Sequence, residues 1–186
     1  MAKYKGTNNL QPLWDSMHLA RCALTPPTMQ HNKYKIVPTT KPKTVAIIGG
    51  GIGGMECALV LKRRGHKPVI FEKTDRLGGL FITASSMSFK ENDKQLIEWY
   101  KKEIARNGIE VRFNTEINDI RTIGNFDEII VATGSVPRKM PIPGFDKTMT
   151  LTELLAEKKE VGDKVVIFGG GQSGCEAALE LVLQGK

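Results

Sequence analysis

The sequence has no long apolar run and few cysteines, and both shortages exclude classes of protein. A membrane-spanning helix needs about 20 consecutive apolar residues, and no stretch here approaches that length. The N-terminus is polar and basic, so no secretory signal peptide is expected. The three cysteines, Cys22, Cys57 and Cys175, lie far apart and form no CxxC pair, which excludes a disulfide framework or a complete metal site built from them. Together these shortages predict a soluble, cytoplasmic protein without membrane association.

The net charge of +7 is distributed unevenly, and this distribution argues against a nucleic-acid partner. Residues 1–43 contain seven lysines and arginines against one acid, Asp15, whereas the rest of the chain carries 20 basic and 19 acidic groups. A neutral body with a basic arm is typical of a solvated terminal segment. Two proline clusters, Pro26-Pro27 and Pro38–Pro42, predict irregular structure in this arm, and Leu13–Ala23 is compatible with a helical turn or two.

Strands alternate with helices from Thr44 onward. Val45–Ile48 and Pro68–Phe71 are short apolar runs typical of strands in a parallel sheet, and a helix ending near Arg64 is predicted between them. Further strands are predicted at Ile109–Phe113, Ile117–Ile123, Glu128–Ala132 and Val165–Phe168, and further helices at Lys94–Arg106, Thr152–Glu157 and Ser173–Gln184. This alternation predicts an α/β fold, a Rossmann-like domain with a parallel sheet followed by the start of a second Rossmann-like domain.

An internal repeat with an offset of 120 residues is the most informative feature of the sequence. Val45–Gly54 matches Val165–Gly174, and the similarity continues to the pair Gly65 and Gly185. In both copies an apolar strand leads into a glycine-rich turn and then a helix. The repeat therefore predicts two dinucleotide-binding units, of which the second has only begun.

The first glycine-rich turn has the residues that a pyrophosphate site requires. A helix N-terminus offers unpaired N–H groups and partial positive charge to an anion. Gly49 permits the tight turn, Gly51 the close approach of the pyrophosphate, and Gly54 the packing of helix against strand. Glu72 follows Gly54 by 18 residues and ends the second strand, where its carboxylate can accept hydrogen bonds from ribose hydroxyls.

Three further segments favour FAD over NAD at this turn. Arg76–Gly79 supplies a second glycine-rich segment beside the pyrophosphate. Ile129–Gly134 is an apolar strand that ends in small residues and is followed by Pro137. Pro141–Gly144 is typical of a turn leading to the second unit.

The run from Val45 to Gly174 resembles the flavoproteins in which an NAD(P)H domain is inserted within an FAD domain. Their GxGxxG, acid and RxGG segments match Gly49–Gly79, and their ATG motif matches Ala132–Gly134. Pro42–Val45 and Glu72–Gly79 are also similar to the C-terminal half of the old-yellow-enzyme-like reductases. That group includes 2,4-dienoyl-CoA reductase, trimethylamine dehydrogenase and the clostridial NADH:flavin and enoate reductases.

The resemblance implies that Glu72 holds the adenosine ribose and that the main chain near Ile117 contacts adenine, while Leu80 stands where relatives often have glutamine. The resulting candidate FAD-binding residues are Gly49, Gly51, Ile52, Gly53, Gly54, Glu72, Lys73, Arg76, Gly79, Leu80, Ile117, Ala132, Thr133 and Gly134, and the candidate NAD(P)H-binding residues are Gly169, Gly171, Gln172, Ser173 and Gly174. The predicted domains are an irregular arm (1–43), the N-terminal part of an FAD-binding domain (44–147) and the incomplete beginning of an NAD(P)-binding domain (148–186). The counterpart of Glu72 would be residue 192, so the preference for NAD or NADP is not readable.

In the intact family, NAD(P)H delivers hydride to FAD, and electrons pass through an iron–sulfur cluster to FMN, which reduces an activated C=C bond. Cys22–Pro26 resembles the segment that carries the last cluster cysteine, but no other cysteine lies between Met1 and Gly54. Cys22 is therefore interpreted as a relic, and neither a [4Fe–4S] cluster nor FMN, whose barrel would precede Met1, is expected here.

The sequence thus predicts the electron-input portion of an FAD-dependent NAD(P)H oxidoreductase, in truncated form. The three histidines (His18, His31 and His66) are scattered, and no catalytic residue is assigned. The alternatives are a nucleotide-binding module without turnover, a fragment that misfolds through exposed sheet edges, and a thioredoxin-reductase-like fragment, against which the missing CxxC counts. Expected partners are the dinucleotides, and either the missing parts of the same flavoenzyme or a second copy.

Overall fold

The computed structural model describes Thr28 and residues 30–138, 140–156 and 159–186. Its regular elements are the strands β1 (Thr44–Ile48), β2 (Lys67–Phe71), β3 (Glu110–Arg112) and β4 (Glu128–Val131), and the helices α1 (Ile52–Arg63), α2 (Leu80–Ser85), α3 (Glu91–Arg106), α4 (Leu151–Leu155) and α5 (Gln172–Leu183). The strands form one parallel sheet in the order β3-β2-β1-β4. The predicted α/β, Rossmann-like architecture is confirmed.

All of these elements belong to the unit Thr39–Lys186. In the other unit, Met1–Pro38, the described residues form a turn in which the Tyr34 N–H donates to the carbonyl of Gln30 at 3.1 Å. Most of the predicted arm, including Leu13–Ala23 and Cys22, lies outside the described residues.

The core of the sheet is built on both faces of β1, because successive side chains of a strand point in opposite directions. Val45 and Ile47 pack on one face with Met55 of α1 and Ile104 of α3, among others. Ala46 and Ile48 pack on the other face in a cluster that includes Phe71 and Ile123. Burial on both faces explains why β1 is an uninterrupted apolar run, and each fully buried large side chain contributes about 1.5–3 kcal/mol.

Strand β4 is attached to β1 at its amino end by polar contacts. The Asp127 carboxylate accepts hydrogen bonds from the Thr44 backbone N–H (2.7 Å) and hydroxyl (2.8 Å), which lowers the pKa of Asp127. Lys43 forms an ion pair with Glu128 at 2.5 Å. These contacts join segments that are more than 80 residues apart in sequence. In the parallel pairing of β1 with β4, the residues that follow β4 lie at the carboxyl end of β1.

Two predicted strands are wrong. Ile117–Ile123 contains a single 3-10 turn (Ile120–Thr122), because the Asp119 carboxylate accepts the Arg121 N–H at 2.9 Å and so competes with extended pairing. Val165–Phe168 is not paired with any strand among the described residues, and the side chains of Val166 and Phe168 are 96% and 70% exposed. A strand needs a neighbour for its backbone hydrogen bonds, and the sheet β3-β2-β1-β4 does not supply one.

The predicted helices are present with shifted ends. Helix α3 begins three residues earlier than predicted, at Glu91, where acids in the first turn suit the helix dipole. Helix α4 ends at Leu155, and the predicted end at Glu157 lies outside the described residues. Helix α2 was not predicted, since Leu80–Ser85 is short and has no clear period. None of the described helices is both long enough and apolar enough to cross a bilayer.

Candidate dinucleotide-binding site

The turn between β1 and α1 contains two glycines that the fold itself requires. Gly49 has φ +112°, and a Cβ there would collide with the carbonyl oxygen of Ala132. A Cβ at Gly54 would collide with the carbonyl oxygen of Gly49. Gly49 therefore permits the turn and the approach of the segment after β4, and Gly54 permits the helix to start directly against the turn.

Gly51 differs, because the protein does not occupy the space beside it. Its φ of −73° suits any residue, and a Cβ there would meet no heavy atom of the described residues within 4 Å. Gly51 is the N-cap of α1, where no side chain in the described part of the chain caps the helix and no acid lies in the first turn. The positive end of α1 thus opens onto free space, which is a suitable cradle for an anion.

The second glycine-rich segment packs against this turn. The Gly78 N–H donates to the Gly50 carbonyl at 2.9 Å, and Gly78 forms a parallel bridge with Gly51. A Cβ at Gly79 would lie 3.1 Å from the Cα of Gly51. Both Gly78 and Gly79 have positive φ, which glycine alone adopts readily. The structure therefore brings Gly78 and Gly79, the two glycines of the predicted Arg76–Gly79 segment, beside the turn.

The segment after β4 is the third part of the site. The Ala132 N–H donates to the Ile48 carbonyl at 2.8 Å, which extends the β1–β4 pairing to the start of the glycine turn. Thr133 and Gly134 follow at the exposed carboxyl edge of the sheet. Ligands of doubly wound α/β folds bind in the crevice at this edge.

Glu72 is held by the protein in a defined orientation. Its side chain lies at the end of β2 and the residue is only 6% exposed. Oε2 accepts the Gly50 N–H at 2.7 Å, and Oε1 accepts the Thr74 N–H (2.9 Å) and hydroxyl (2.8 Å). Sequence reasoning missed Gly50 and Thr74 as partners of Glu72. A carboxylate can accept about four hydrogen bonds, and these contacts use three of them. The contact of Glu72 with a ribose hydroxyl stays a prediction.

The remaining candidate residues differ in their exposure and contacts. Lys73 and Arg76 lie in the exposed loop after β2, where Arg76 forms a weak ion pair with Asp75 at 3.6 Å. Leu80 is half-exposed at the start of α2, and Ile117 is half-buried against the Ala46–Ile48 face of the sheet. Ile52 packs against the core and Gly53 is exposed.

The second turn repeats the geometry of the first. Gly169 has φ +110°, and Gly171 has φ −74° and ψ 177°, against −73° and −178° at Gly51. A Cβ at Gly174 would collide with the carbonyl oxygen of Gly169, as at the equivalent first-turn pair. Gly169, Gly171, Gln172 and Ser173 are exposed. The second turn therefore has the shape of a dinucleotide turn, although no strand in the described part of the chain leads into it.

The described part of the chain holds no group of three or more histidines, cysteines or acids that could bind a metal ion. Cys57 is half-buried in α1, and burial raises the pKa of its thiol. Cys175 is exposed at the second turn.

Comparisons with known proteins agree with this geometry. A family model described as pyridine nucleotide-disulphide oxidoreductase matches residues 27–125 and 121–186. The chain is 40% identical over 167 residues to cinnamate reductase of Clostridium sporogenes and 34% identical over 174 residues to NADH oxidase of Thermoanaerobacter brockii, and both matches cover 89% of the chain. A solved structure of 2-naphthoyl-CoA reductase superposes on 89% of the chain with a TM-score of 0.82 and 32% identity.

These matches span only about a quarter of each relative, namely 25%, 27% and 26% of their lengths. They confirm the resemblance predicted from the sequence, to flavoproteins with two dinucleotide-binding turns and to old-yellow-enzyme-like reductases among them.

Proposed function

We propose that the first glycine turn of this chain binds the ADP part of FAD and that its second turn binds NAD(P)H. The premise is that the chain belongs to the pyridine nucleotide-disulphide oxidoreductase family. FAD and NAD(P)H are the cofactors that membership of this family implies. The first turn is assigned to FAD because it comes first along the chain and because the segments Arg76–Gly79 and Ile129–Gly134 accompany it.

The observation that carries the proposal is the convergence of three segments on the open end of α1. Gly51 leaves free space at the uncapped helix N-terminus, Gly78 and Gly79 line the turn from one side, and Ala132 closes it from the other. A pyrophosphate fits this cradle because backbone N–H groups and the helix dipole both favour negative charge there. A Cβ at Gly51 would occupy the same space.

The residues around the cradle supply the remaining roles. Glu72, whose carboxylate accepts the Gly50 N–H, is the candidate for the contact with a ribose hydroxyl. The exposed cations Lys73 and Arg76 add positive potential near the same edge, and the half-buried Ile117 is the candidate for the adenine contact. At the second turn, the exposed Gly171 and Gln172 line the equivalent cradle of α5.

The reaction class that follows is hydride transfer from NAD(P)H to FAD, in which the bound flavin supplies the redox chemistry and the protein supplies binding and orientation. The chain would then be the electron-input portion of an enoate reductase-like flavoenzyme. The names of two relatives, cinnamate reductase and NADH oxidase, support this class, since both matches cover 89% of the chain. The family match of residues 27–125 and 121–186 includes both turns.

Titration with FAD, followed by quenching of flavin fluorescence, tests the binding step on the purified chain. Anaerobic addition of NADH or NADPH to the flavin-loaded protein then tests hydride transfer to FAD, which would bleach the visible flavin bands. Gly51→Ala is the matched variant, because it fills the cradle without contacting the protein. FAD binding that is unaffected by this variant would contradict the assignment of the site.

One observation favours a second candidate, a nucleotide-binding module without turnover. Val165–Phe168, which precedes the second turn, is unpaired and largely exposed in the described part of the chain. A dinucleotide turn without its sheet presents a phosphate cradle but little surface for a nicotinamide. FAD binding without NAD(P)H-dependent bleaching would favour this module over the electron-input function.

A further inference from the structure

Helices α1 and α5 are equivalent in the internal repeat, yet they bury different faces. Helix α1 buries Met55, Ala58 and Leu59 against its own sheet. The counterparts of Met55 and Leu59 in α5, Cys175 and Leu179, are exposed. Helix α5 instead buries Ala177, Glu180 and Leu181, a face displaced by two residues, or about 200° around the helix.

This second face of α5 is seated on the segment 86–90, which links α2 to α3. Glu180 is 8% exposed, and its Oε2 accepts the Ser88 N–H at 2.9 Å and the Ser88 hydroxyl at 2.8 Å. Lys90 forms an ion pair with Glu176 at 2.6 Å, in which both side chains are mostly buried. A buried carboxylate is costly unless it is hydrogen-bonded or paired, and these partners satisfy both glutamates.

The same contacts continue to the second glycine turn. The other oxygen of Glu176 accepts the Gln172 side-chain N–H at 3.1 Å, and Gln172 directly follows Gly171. Lys90 is therefore connected through Glu176 to a residue of the second cradle. The corresponding residue of the first turn is Ile52, which packs in the core, so this polar connection is particular to the second turn.

We propose that Glu180 and Lys90 are positioning residues: with Ser88 and Glu176 they form a latch that holds the second nucleotide turn, through α5, on the segment 86–90 of the proposed FAD-binding part (44–147). The proposal rests on the proposed function for its consequence, the placement of NAD(P)H relative to FAD. Hydrogen bonds from Ser88 to a fixed carboxylate set the rotation of α5 about its axis, which apolar contacts alone specify poorly. The Ser88 and Lys90 contacts also lower the pKa values of Glu180 and Glu176.

Hydrogen–deuterium exchange of the purified chain tests the latch without any cofactor. In Glu180→Ala, we expect the α5 amides to exchange roughly tenfold faster or more, the factor that corresponds to loss of one hydrogen bond to a charged group, while the α1 amides exchange as before. Ser88→Ala should have a smaller effect because its backbone N–H remains. The double variant should resemble Glu180→Ala alone. Glu98→Ala, which removes an exposed glutamate of α3, is the matched control and should leave α5 unchanged.

Unchanged exchange in α5, equal acceleration of α1 and α5, or additive effects of the two substitutions would each overturn the latch. Glu180→Gln keeps the shape and one acceptor, so it should give an intermediate rate and remains informative if Glu180→Ala does not fold. In the flavin-loaded protein, Glu180→Ala should slow flavin reduction by NADH while the Kd for FAD stays constant. Absence of FAD binding would contradict the proposed function, whereas the exchange experiment would still decide the latch.

Discussion

The clearest test of the first turn compares the same substitution at two glycines, Gly49→Ala and Gly51→Ala. Gly49 has positive φ, and a methyl group there would collide with the Ala132 carbonyl. Gly51 has ordinary φ, and its methyl group would point into space that no described residue occupies within 4 Å. The two variants should therefore separate folding from ligand binding.

The magnitudes follow from these two environments. For Gly49→Ala, the unfavourable φ costs about 1–2 kcal/mol, and the overlap adds about 1–3 kcal/mol, so the free energy of unfolding should fall by about 2–5 kcal/mol. For Gly51→Ala, only the poorer N-cap matters, at about 1 kcal/mol or less. If the proposed cradle binds the pyrophosphate, however, the methyl group would displace it, so the affinity for FAD should fall by roughly tenfold or more, which corresponds to about 1.4 kcal/mol.

Urea unfolding followed by far-UV circular dichroism gives the first quantity, and FAD titration gives the second. Gly171→Ala is the control at the second turn, where the added methyl group also meets no described heavy atom. It should leave the FAD affinity unchanged and lower the free energy of unfolding by no more than Gly51→Ala does, since Gly171 is likewise a helix N-cap. A Gly51→Ala protein that is folded and binds FAD as the wild type does would refute the cradle. An unchanged free energy of unfolding for Gly49→Ala would refute the packing argument.

Three further predictions follow from particular contacts. Ile48→Ala should lower the free energy of unfolding by about 2–5 kcal/mol because Ile48 is buried in the sheet. The substitution at its repeat counterpart, Phe168→Ala, should lower it by about 0.5 kcal/mol or less because that ring is mostly exposed. Similar urea midpoints for the two variants would contradict the burial difference. The pKa of Asp127 is lowered from 3.8 by the Thr44 N–H, so this carboxylate stabilises the fold above pH 3.8 and the effect is lost as the pH falls through its folded pKa. The Tm difference between wild type and Asp127→Asn should therefore shrink in acid, and a constant difference from pH 7 to pH 3 would be inconsistent with this. Glu72→Gln places a donor against the Gly50 or Thr74 donors and should cost about 1–3 kcal/mol of stability as well as FAD affinity; calorimetry that shows neither loss would count against the assigned orientation.

Local sequence was sufficient to predict the elements that the backbone itself specifies. Both glycine turns, the helices that follow them and the strands at Val45 and Pro68 have local signals in positive-φ glycines and apolar runs. The two wrong strands failed for non-local reasons. Ile117–Ile123 is apolar enough for a strand, but Asp119 diverts its backbone into a turn. Val165–Phe168 has the same pattern as β1, but no neighbouring strand pairs with it among the described residues.

The sequence by itself determined the shape of the two turns. Gly169 and Gly171 adopt almost the dihedral angles of Gly49 and Gly51, although no paired strand precedes them among the residues that the structure describes. Glycine torsions and the start of a helix are local properties.

Only the tertiary structure decided which groups meet at those turns. It placed the Gly50 N–H and Thr74 on the Glu72 carboxylate, and the Ala132 carbonyl against Gly49. It also buried the Glu180 face of α5 in place of the face that α1 buries, through Ser88, which lies 92 residues away in sequence. Such contacts form only when segments that are distant in sequence pack together, and a local pattern of residue types does not show which distant segments will meet.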